Sequence, residues 1–249
     1  DCAPRLERAL AAGARRHGDL VTAFQFRVKD IDQHEAARLA APLQAICAAH
    51  DVAFIVNDSV ALAKRLKADG VHLGQDDGSP REAREVLGRE AQIGVTCHAS
   101  RHMAMEAGEA GADYVAFGAF YPSTTKDKGP DAEVPDLELL QWWTSIFEIP
   151  CVAIGGITPE NCVPLVAAGA DFLAVSGAVW GGDEVAVCVQ EIWPVRPGGE
   201  RDLFADGGVC GRSVRHPVDD FRPHQPLRSH PGHPHRFIYF CPPQHRILG

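Results

Sequence analysis

Short apolar segments alternate with amphipathic segments along the chain as far as about residue 193. The apolar segments have the length and composition of buried strands and cover residues 21–28, 52–58, 70–74, 92–98, 114–120, 150–156 and 171–177. Between them, apolar residues recur at three- and four-residue spacing, which predicts helices that include residues 32–50, 59–68, 79–88, 100–110 and 158–169. Near-continuous apolar strands that alternate with helices are typical of an α/β fold, in which helices cover a parallel sheet.

Single residues predict several helix boundaries. The pairs Ser79-Pro80 and Thr158-Pro159 favour helix starts, because a hydroxyl can cap the first turn and proline fits the first helical position. Gly111 and Gly169 fit positions just after a helix end, where the backbone often becomes left-handed. These boundaries leave short loops between each helix and the strand that follows it.

The seven strand segments are one short of a closed (β/α)8 TIM barrel. A doubly wound open sheet is the alternative, but it usually carries a glycine-rich phosphate-binding turn after its first strand, and this sequence has none there. The pattern therefore predicts the barrel, with its first strand not evident. A helix-like segment, residues 4–17, precedes the first apolar strand.

The periodic pattern stops near residue 195. Residues 195–249 are rich in proline, glycine, histidine and arginine, contain no lysine and show no hydrophobic periodicity. Such a composition cannot assemble a packed core of its own, so this segment is predicted to be an irregular, disordered tail. The sequence thus divides into a barrel domain, residues 1–194, and a tail, residues 195–249.

Composition and charge exclude several classes of protein. A formal net charge of −9 argues against a general nucleic-acid or membrane-surface binder, since both functions need a basic face. No apolar run reaches the roughly 18–20 residues that span a bilayer, and the N-terminal residues lack the apolar centre of a signal peptide. The eight cysteines are scattered rather than paired by spacing. They favour reduced thiols and a cytoplasmic protein.

Gln25, Arg27 and Lys29 occupy alternate positions at the end of the first apolar strand. Alternate side chains of an extended strand point to the same face, so all three are expected to face the barrel interior. Buried cations are unfavourable unless an anion meets them, so this pattern indicates a site for a negatively charged ligand. In the alternative interpretation these side chains face water, although a parallel strand covered by helices has no solvated face.

The next two apolar strands end in acidic residues. Asn57 and Asp58 end one strand, and Asp76 and Asp77 follow the other. Carboxylates from neighbouring strand ends suit Mg²⁺, which proteins hold through one or two carboxylates together with substrate phosphates. Asp58 and Asp77 are the predicted metal ligands. For Asp76, helix capping or solvation is at least as good an explanation.

The remaining strand ends carry hydroxyls, glycines and a lysine, namely Thr96, Ser123, Thr125, Lys126, Gly155, Gly156 and Ser176. Hydroxyls and lysine donate to phosphate oxygens, and glycines let backbone amides approach a ligand. His98 is expected to be hydrogen-bonded scaffolding, and Cys97 has no signature of a nucleophile. Two anion sites are predicted, one at Arg27, Lys29, Asp58, Asp77 and Lys126, the other near Gly156 and Ser176.

Six segments, taken together, resemble the thiamine-phosphate synthase family: QFRVK, VNDSVALAKRLKADGVHLGQDD, GVTCH, GADYVAFGAFYPSTTK, VAIGGITPEN and GADFLAVSGAV. They follow one another in family order, at near-family spacing, from about Val21 to Val179. The resemblance implies a single (β/α)8 barrel that joins hydroxymethylpyrimidine diphosphate to a thiazole phosphate with Mg²⁺. The products are thiamine phosphate and pyrophosphate.

The resemblance also implies a role for each matching residue. Gln25, Arg27, Lys29 and Asn57 resemble a diphosphate clamp, with Thr96 beside the diphosphate, and Asp58 and Asp77 resemble the Mg²⁺ ligands. Ser123, Thr125 and Lys126 match a phosphate-binding loop, and Gly156, Val175 and Ser176 match a thiazole-phosphate cradle. The catalytic residues implied in this way are Lys126, Arg27 and Thr96.

The implied mechanism is dissociative. Diphosphate leaves the pyrimidine methylene, the electron-rich ring stabilises the resulting cation, and the thiazole nitrogen captures it. Such a reaction needs neutralised charge on the leaving group and two well-placed rings, but no protein nucleophile. The expected partners are these two small molecules, with no nucleic acid or membrane, and a homo-oligomer is left open.

Two alternatives remain. Thiazole tautomerases share the barrel but typically lack the diphosphate-binding residues, and their characteristic histidine near the sixth strand end is replaced here by Ala119. A barrel that binds a phosphorylated heterocycle without catalysis is the second alternative. Release of pyrophosphate from the two substrates separates the synthase from both.

Overall fold

The computed structural model describes residues 2–17, 21–122, 133–180 and 236–240. Its strands are β1 (Val21–Phe26), β2 (Ala53–Asn57), β3 (Gly70–Leu73), β4 (Gln92–His98), β5 (Tyr114–Gly118), β6 (Cys151–Ile154), β7 (Phe172–Val175) and β8 (Arg236–Phe240). Its helices are α1 (Cys2–His17), α2 (Gln33–Ala49), α3 (Val60–Leu66), α4 (Pro80–Leu87), α5 (Arg101–Glu109), α6 (Leu137–Ile146), α7 (Val163–Ala167) and α8 (Gly177–Trp180). The seven predicted strands are all present, within three residues of the predicted boundaries.

Strands β1 to β7 form a curled parallel sheet in which each strand pairs with the next one along the chain. Helices follow most of the strands, as expected for an α/β fold of the TIM-barrel type. The parallel arrangement brings the carboxyl ends of all seven strands to one edge of the sheet. The predicted functional side chains follow these ends, so the topology collects them at that edge.

The short strand β8 was not expected from the sequence, which predicted disorder throughout residues 195–249. Its backbone pairs in parallel with both β7 and β1, the two outer strands of the curled sheet. The local sequence Arg-Phe-Ile-Tyr-Phe has high β propensity, and the open edges of β1 and β7 offer unpaired backbone groups. The other residues of the predicted tail lie outside the described residues.

Two apolar layers pack against the sheet. The larger lies between the strands and the helices and includes Phe24, Phe54, Phe117 and Trp143, all of them almost fully buried. The smaller lines the inside of the curl and consists of Ala23, Ile55, Tyr114, Ala116, Val152, Phe172 and Ala174. This inner layer also contains the buried polar residues Gln25 and His72, at 1% and 5% exposure. Burial on both faces explains why the strands read as nearly continuous apolar runs.

The helix starts confirm part of the sequence prediction. Ser79 accepts a hydrogen bond from the backbone N–H of Glu82 and forms a capping box at the start of α4. The prediction for Thr158-Pro159 was wrong, because α7 begins at Val163. Asn161 accepts a hydrogen bond from the Thr158 N–H at 2.8 Å and keeps this segment in a turn. Gly111 and Gly169 have positive φ after α5 and α7, as predicted.

Three aspartates fasten neighbouring strands at the edge of the sheet away from the predicted site. Asp69, Asp113 and Asp171 each precede a strand, and each carboxylate accepts a hydrogen bond from a backbone N–H of the preceding strand, at 2.7–2.9 Å. Their own N–H groups donate to carbonyls of the same preceding strands. These aspartates therefore stabilise strand pairing rather than bind ligand.

Candidate active site

The end of β1 differs from the sequence prediction. Gln25 lies within the strand and is buried on the inner face, as expected. Arg27 and Lys29 lie beyond the end of β1, so strand alternation does not govern their direction. Arg27 is half-buried and Lys29 is exposed. Among the described residues, neither cation has a hydrogen bond or ion pair, which leaves both available to an anion.

Asn57 and Asp58 lie at the end of β2 and are both half-buried. The backbone N–H of Asp58 donates to the carbonyl of His72 at 2.8 Å, which ties this strand end to β3. Asp58 adopts a positive φ of 68°, a conformation that aspartate tolerates better than most residues. Ser59, not Asp58, caps α3. Asp58 therefore holds a fixed place at the site edge without a capping role.

Asp76 and Asp77 differ in their surroundings although they are adjacent. Asp76 is exposed, and Asp77 is half-buried. One carboxylate oxygen of Asp77 accepts a hydrogen bond from the Gly74 N–H at 2.8 Å, which fixes this side chain against the end of β3. Ser79 caps the following helix, so helix capping explains neither aspartate. Asp77 is thus fixed by a hydrogen bond, whereas Asp76 is exposed to solvent.

A buried polar network connects Gln25 on β1 with Thr96 on β4. The His72 ring lies 2.8 Å from Thr96 Oγ1 through Nε2 and 3.0 Å from Tyr114 Oη through Nδ1. The Gln25 side chain hydrogen-bonds to the Tyr114 hydroxyl. Burial, together with the nearby charge of Asp113, raises the pKa of Tyr114, although the bond from Gln25 opposes this shift. The Tyr114 hydroxyl therefore stays protonated and can act as a hydrogen-bond donor.

The surroundings of Cys97 agree with the sequence analysis, which found no signature of a nucleophile there. Its side chain is fully buried in the layer between the sheet and the helices. Burial raises the pKa of the Cys97 thiol to about 12, so the nucleophilic thiolate is not populated near neutral pH. His98 is half-buried with a positive φ of 50°.

The loops after β5 and β6 are packed tightly together. A side chain on Gly156 would collide with the Pro122 carbonyl and approach Tyr121 Cβ at 2.8 Å. The Tyr121 hydroxyl donates to the Asn161 carbonyl at 2.7 Å, and the Asn161 amide donates to the Gly156 carbonyl at 2.9 Å. These contacts fix the start of the segment that carries Ser123, Thr125 and Lys126. Those three residues lie outside the described residues.

Val175 and Ser176 end β7 at the same edge of the sheet. Val175 is buried, whereas Ser176 is half-buried. The Ser176 carbonyl accepts hydrogen bonds from the Val179 and Trp180 N–H groups and so begins α8. Gly156, Val175 and Ser176 thus follow consecutive strands, as the predicted second anion site requires.

Comparison with known proteins decides the family. A sequence model described as "Thiamine monophosphate synthase" matches residues 2–179. The chain belongs to the thiamine monophosphate synthase family. It is 83% identical over 182 residues to the thiamine-phosphate synthase of Erythrobacter litoralis (strain HTCC2594), a match that covers 73% of this chain and 83% of that protein. It is 53% identical over 178 residues to the thiamine-phosphate synthase of Rhodospirillum centenum, covering 72% of this chain and 82% of that protein.

A solved structure agrees with this assignment to the thiamine monophosphate synthase family. The thiamine phosphate pyrophosphorylase from Pyrococcus furiosus is 33% identical to this chain and superposes with a TM-score of 0.67. The match covers 76% of this chain and 86% of that protein. The expected family resemblance is therefore confirmed in sequence and in fold, and the chain is a transferase of this family.

The donor chemistry of the strand ends bears on a possible metal site. Within the described ranges, no three His, Cys, Asp or Glu side chains come together as a metal-binding group. Two half-buried carboxylates, Asp58 and Asp77, follow neighbouring strands at the site edge. Mg²⁺ commonly binds through one or two carboxylates and completes its shell with substrate phosphates and water. The donor set fits Mg²⁺ in that form.

Two residues of the site were missed by sequence reasoning. His72 and Tyr114 lie inside apolar segments and were interpreted only as parts of strands. The signal that could have revealed them is a polar side chain at an inward-facing position of a strand that is buried on both faces.

Within the described part of the chain, no helix is long and apolar enough to cross a bilayer.

Proposed function

We propose that this chain joins hydroxymethylpyrimidine diphosphate to a thiazole phosphate, releasing pyrophosphate and forming thiamine phosphate. The observation that carries the proposal is the family match, which spans all seven strands whose carboxyl ends bear the predicted ligand-binding residues. The 83% identical relative carries the name of this activity.

The diphosphate of the pyrimidine substrate is proposed to bind at the ends of β1 to β4. Arg27 and Lys29 would neutralise its charge, and Gln25, Asn57 and Thr96 would supply polar contacts. Both cations lack partners within the described residues, so they do not have to break ion pairs before they bind the anion. Charge-assisted hydrogen bonds of this kind are stronger than neutral ones.

Asp58 and Asp77 are proposed to hold Mg²⁺ beside the diphosphate. When bound, Mg²⁺ would offset the negative charge that develops on the leaving pyrophosphate. Gly74 keeps Asp77 in place by donating to one carboxylate oxygen, which leaves the other oxygen available to a cation. Lys126, with Ser123 and Thr125, is proposed to donate to the same anion.

The thiazole phosphate is proposed to bind near Gly156, Val175 and Ser176. The absence of a side chain at Gly156 lets the loop that contains Tyr121 and Pro122 pack against it. Held there, the thiazole nitrogen would face the pyrimidine methylene and attack it once pyrophosphate has left. Positioning of the two rings and stabilisation of the leaving group account for catalysis without a nucleophilic side chain.

A thiazole tautomerase is disfavoured by the end of β5. The position of its characteristic histidine is Ala119, which has no group that can transfer a proton. Ala119 also packs so closely against Gly155 that a side chain on that glycine would collide with it. A larger residue at position 119 would therefore disturb the loop after β6.

The proposed reaction is tested by the release of pyrophosphate when purified protein is mixed with both substrates and Mg²⁺. Asp77→Asn should lower turnover roughly 10- to 100-fold, because the amide keeps the bond to Gly74 but weakens metal binding. Asp76→Asn is the matched control, since the adjacent exposed carboxylate should be dispensable. Wild-type protein without pyrophosphate release would refute the synthase activity, and equal losses in both variants would refute the metal assignment.

We further propose that β8 completes an eight-stranded barrel by pairing with both β1 and β7. Ile238 pairs with Ala23 of β1 and with Ala174 of β7. Ile238→Pro removes a backbone donor from this ladder and should lower the free energy of unfolding by about 1–3 kcal/mol. Ile238→Val keeps the donor and serves as control. An unchanged urea midpoint for the proline variant would refute this role of β8.

A cytoplasmic location is proposed from the scattered positions of the cysteines in the sequence. The structure describes five cysteines outside any disulfide, and four of them are buried. Free thiols persist in a reducing compartment. Fluorescence of the tagged protein in the soluble cell fraction would support this location. If the protein is instead found in an oxidising compartment with its cysteines in disulfides, the proposal is contradicted.

A further inference from the structure

Three neighbouring strands place His72, Gly94 and Tyr114 in one row across the sheet. His72 of β3 is in register with Gly94 of β4, and Gly94 is in register with Tyr114 of β5. Because Gly94 has no side chain, the two rings meet across it, with centroids 5.6 Å apart and planes inclined by 28°. A side chain at position 94 would occupy the space of the Tyr114 ring. The glycine therefore creates the place in which these two residues touch.

The hydrogen bonds along this row can be given a direction that starts at Gln25. Its side chain hydrogen-bonds to the Tyr114 hydroxyl, and its Oε1 atom is buried without a hydrogen-bond partner among the described residues. The Gln25 atom that makes the bond is therefore the amide nitrogen, which can only donate, and the Tyr114 oxygen accepts. Within the described residues, the Tyr114 hydroxyl hydrogen is then left to its other neighbour, His72 Nδ1, 3.0 Å away.

The direction continues to Thr96. If Nδ1 of His72 accepts from Tyr114, a neutral imidazole carries its hydrogen on Nε2. Nε2 lies 2.8 Å from Thr96 Oγ1 and donates to it. Thr96 is half-buried at the end of β4, and its hydroxyl hydrogen has no acceptor within the described residues. In this arrangement the hydrogen is available to a ligand at the end of β4.

We infer that Gln25, Tyr114 and His72 form a directed hydrogen-bond chain that holds the Thr96 hydroxyl as a donor toward the bound anion. His72 and Tyr114 are positioning residues in this scheme, because they act through Thr96 and do not touch the reacting atoms. A hydroxyl can donate or accept, and an acceptor turned toward pyrophosphate would repel it. Fixing the donor before the substrate binds removes the cost of reorienting it during the reaction.

This inference rests on the proposed function only for the identity of the anion, so its first test is made without substrate. In protein labelled with ¹⁵N at histidine, long-range ¹H–¹⁵N spectra should show His72 as the Nε2–H form. Tyr114→Phe keeps the ring but removes the hydroxyl, and it should shift the Nδ1 resonance of His72. An Nδ1–H form in the wild-type protein would overturn the inference, whatever the result of the synthase assay.

The second test uses a double-mutant cycle on pyrophosphate release. Thr96→Ala should lower turnover about 100-fold, as expected for one lost donor to a developing anion. Tyr114→Phe should lower it about 10-fold, and the double variant should be no slower than Thr96→Ala alone, because both act through the same hydroxyl. If the two losses multiply instead, Tyr114 does not act through Thr96.

Two further variants separate positioning from structural damage. His72→Gln places an amide N–H near the position of Nε2 and should recover part of the turnover lost in His72→Leu. Tyr121→Phe removes a hydroxyl in the loop after β5 that does not belong to the Gln25–Tyr114–His72–Thr96 hydrogen-bond chain. Its effect on turnover should therefore multiply with that of Thr96→Ala. Equal losses in His72→Gln and His72→Leu would overturn the proposed donor role of His72. If the wild-type protein lacks synthase activity but His72 is observed in the Nε2–H form, the proposed function is refuted. The proposed hydrogen-bond direction then still stands.

Discussion

Asp113 provides a sharp test of how the strands are held together. Its carboxylate oxygen Oδ2 accepts from the buried backbone N–H of Ile93 at 2.7 Å and from the Arg84 guanidinium at 2.6 Å. The Asp113 and Arg84 side chains are 24% and 26% exposed, so solvent screens this ion pair only in part. Replacement by alanine removes both interactions at once.

The expected cost follows from what each lost contact leaves behind. The Ile93 N–H becomes a buried donor without its carboxylate acceptor, which costs about 1–3 kcal/mol. Arg84 still donates to the carbonyls of Gly88, Arg89 and Ala91, so its own loss is smaller. Asp113→Ala should therefore lower the free energy of unfolding by about 2–4 kcal/mol. Asp113→Asn keeps an acceptor for Ile93 and should cost about 1 kcal/mol.

Urea denaturation followed by circular dichroism measures this difference, with the slope of the transition compared between variants. The double variant of Asp113→Asn with Arg84→Met isolates the ion pair from the backbone bond. Equal costs for the alanine and asparagine variants would refute the role of the Ile93 bond. If the alanine variant loses less than about 0.5 kcal/mol of unfolding free energy, the proposed role of Asp113 in holding β4 and β5 together is refuted.

Two further predictions concern the site loops and the thiols. Gly156→Ala should lower affinity for the thiazole phosphate and destabilise the fold, because the new methyl meets Pro122 and the backbone has φ of 62°. Gly111→Ala is the control: Gly111 has φ of 89° and open space around it, so this change should add only backbone strain. If both variants weaken affinity for the thiazole phosphate equally, the contact between position 156 and Pro122 is not the cause. Burial raises the pKa of the Cys97 thiol to about 12, above its value near 8.5 in the unfolded chain. The native state therefore binds this proton more tightly than the unfolded state does. The free energy of unfolding should fall as the pH rises from about 8.5 toward 12. Pulsed alkylation should label Cys97 only after unfolding, and rapid labelling of the native protein at pH 8 would contradict this.

The sequence predicted most of the fold because the fold depends on local patterns. Each strand was visible as an apolar run, and the capping serine Ser79 and the helix-ending glycines were predicted from single residues. Thr158-Pro159 was misleading, because the side chain of Asn161 stabilises a turn at that point. β8 was missed because five residues of high β propensity in a proline-rich segment gain a defined structure only through the edges of β1 and β7.

The site was predicted less completely than the fold. Residues at strand ends could be found because parallel topology gathers those ends at one edge. The directions of Arg27 and Lys29 could not, since the strand ends before them. His72 and Tyr114 were overlooked for a related reason: their contact depends on strand register and on the missing side chain at Gly94.

The sequence by itself determined the alternation of strands and helices, the residue types at the strand ends and the family. These properties depend on hydrophobic period and on local motifs, which are written in consecutive residues. Only the tertiary structure decided that Gln25, Tyr114, His72 and Thr96 form one chain of hydrogen bonds and that Asp77 is ordered while Asp76 is solvated. Such contacts join residues from strands far apart in the sequence, and their distances are set by register, curvature and packing, which no local pattern records.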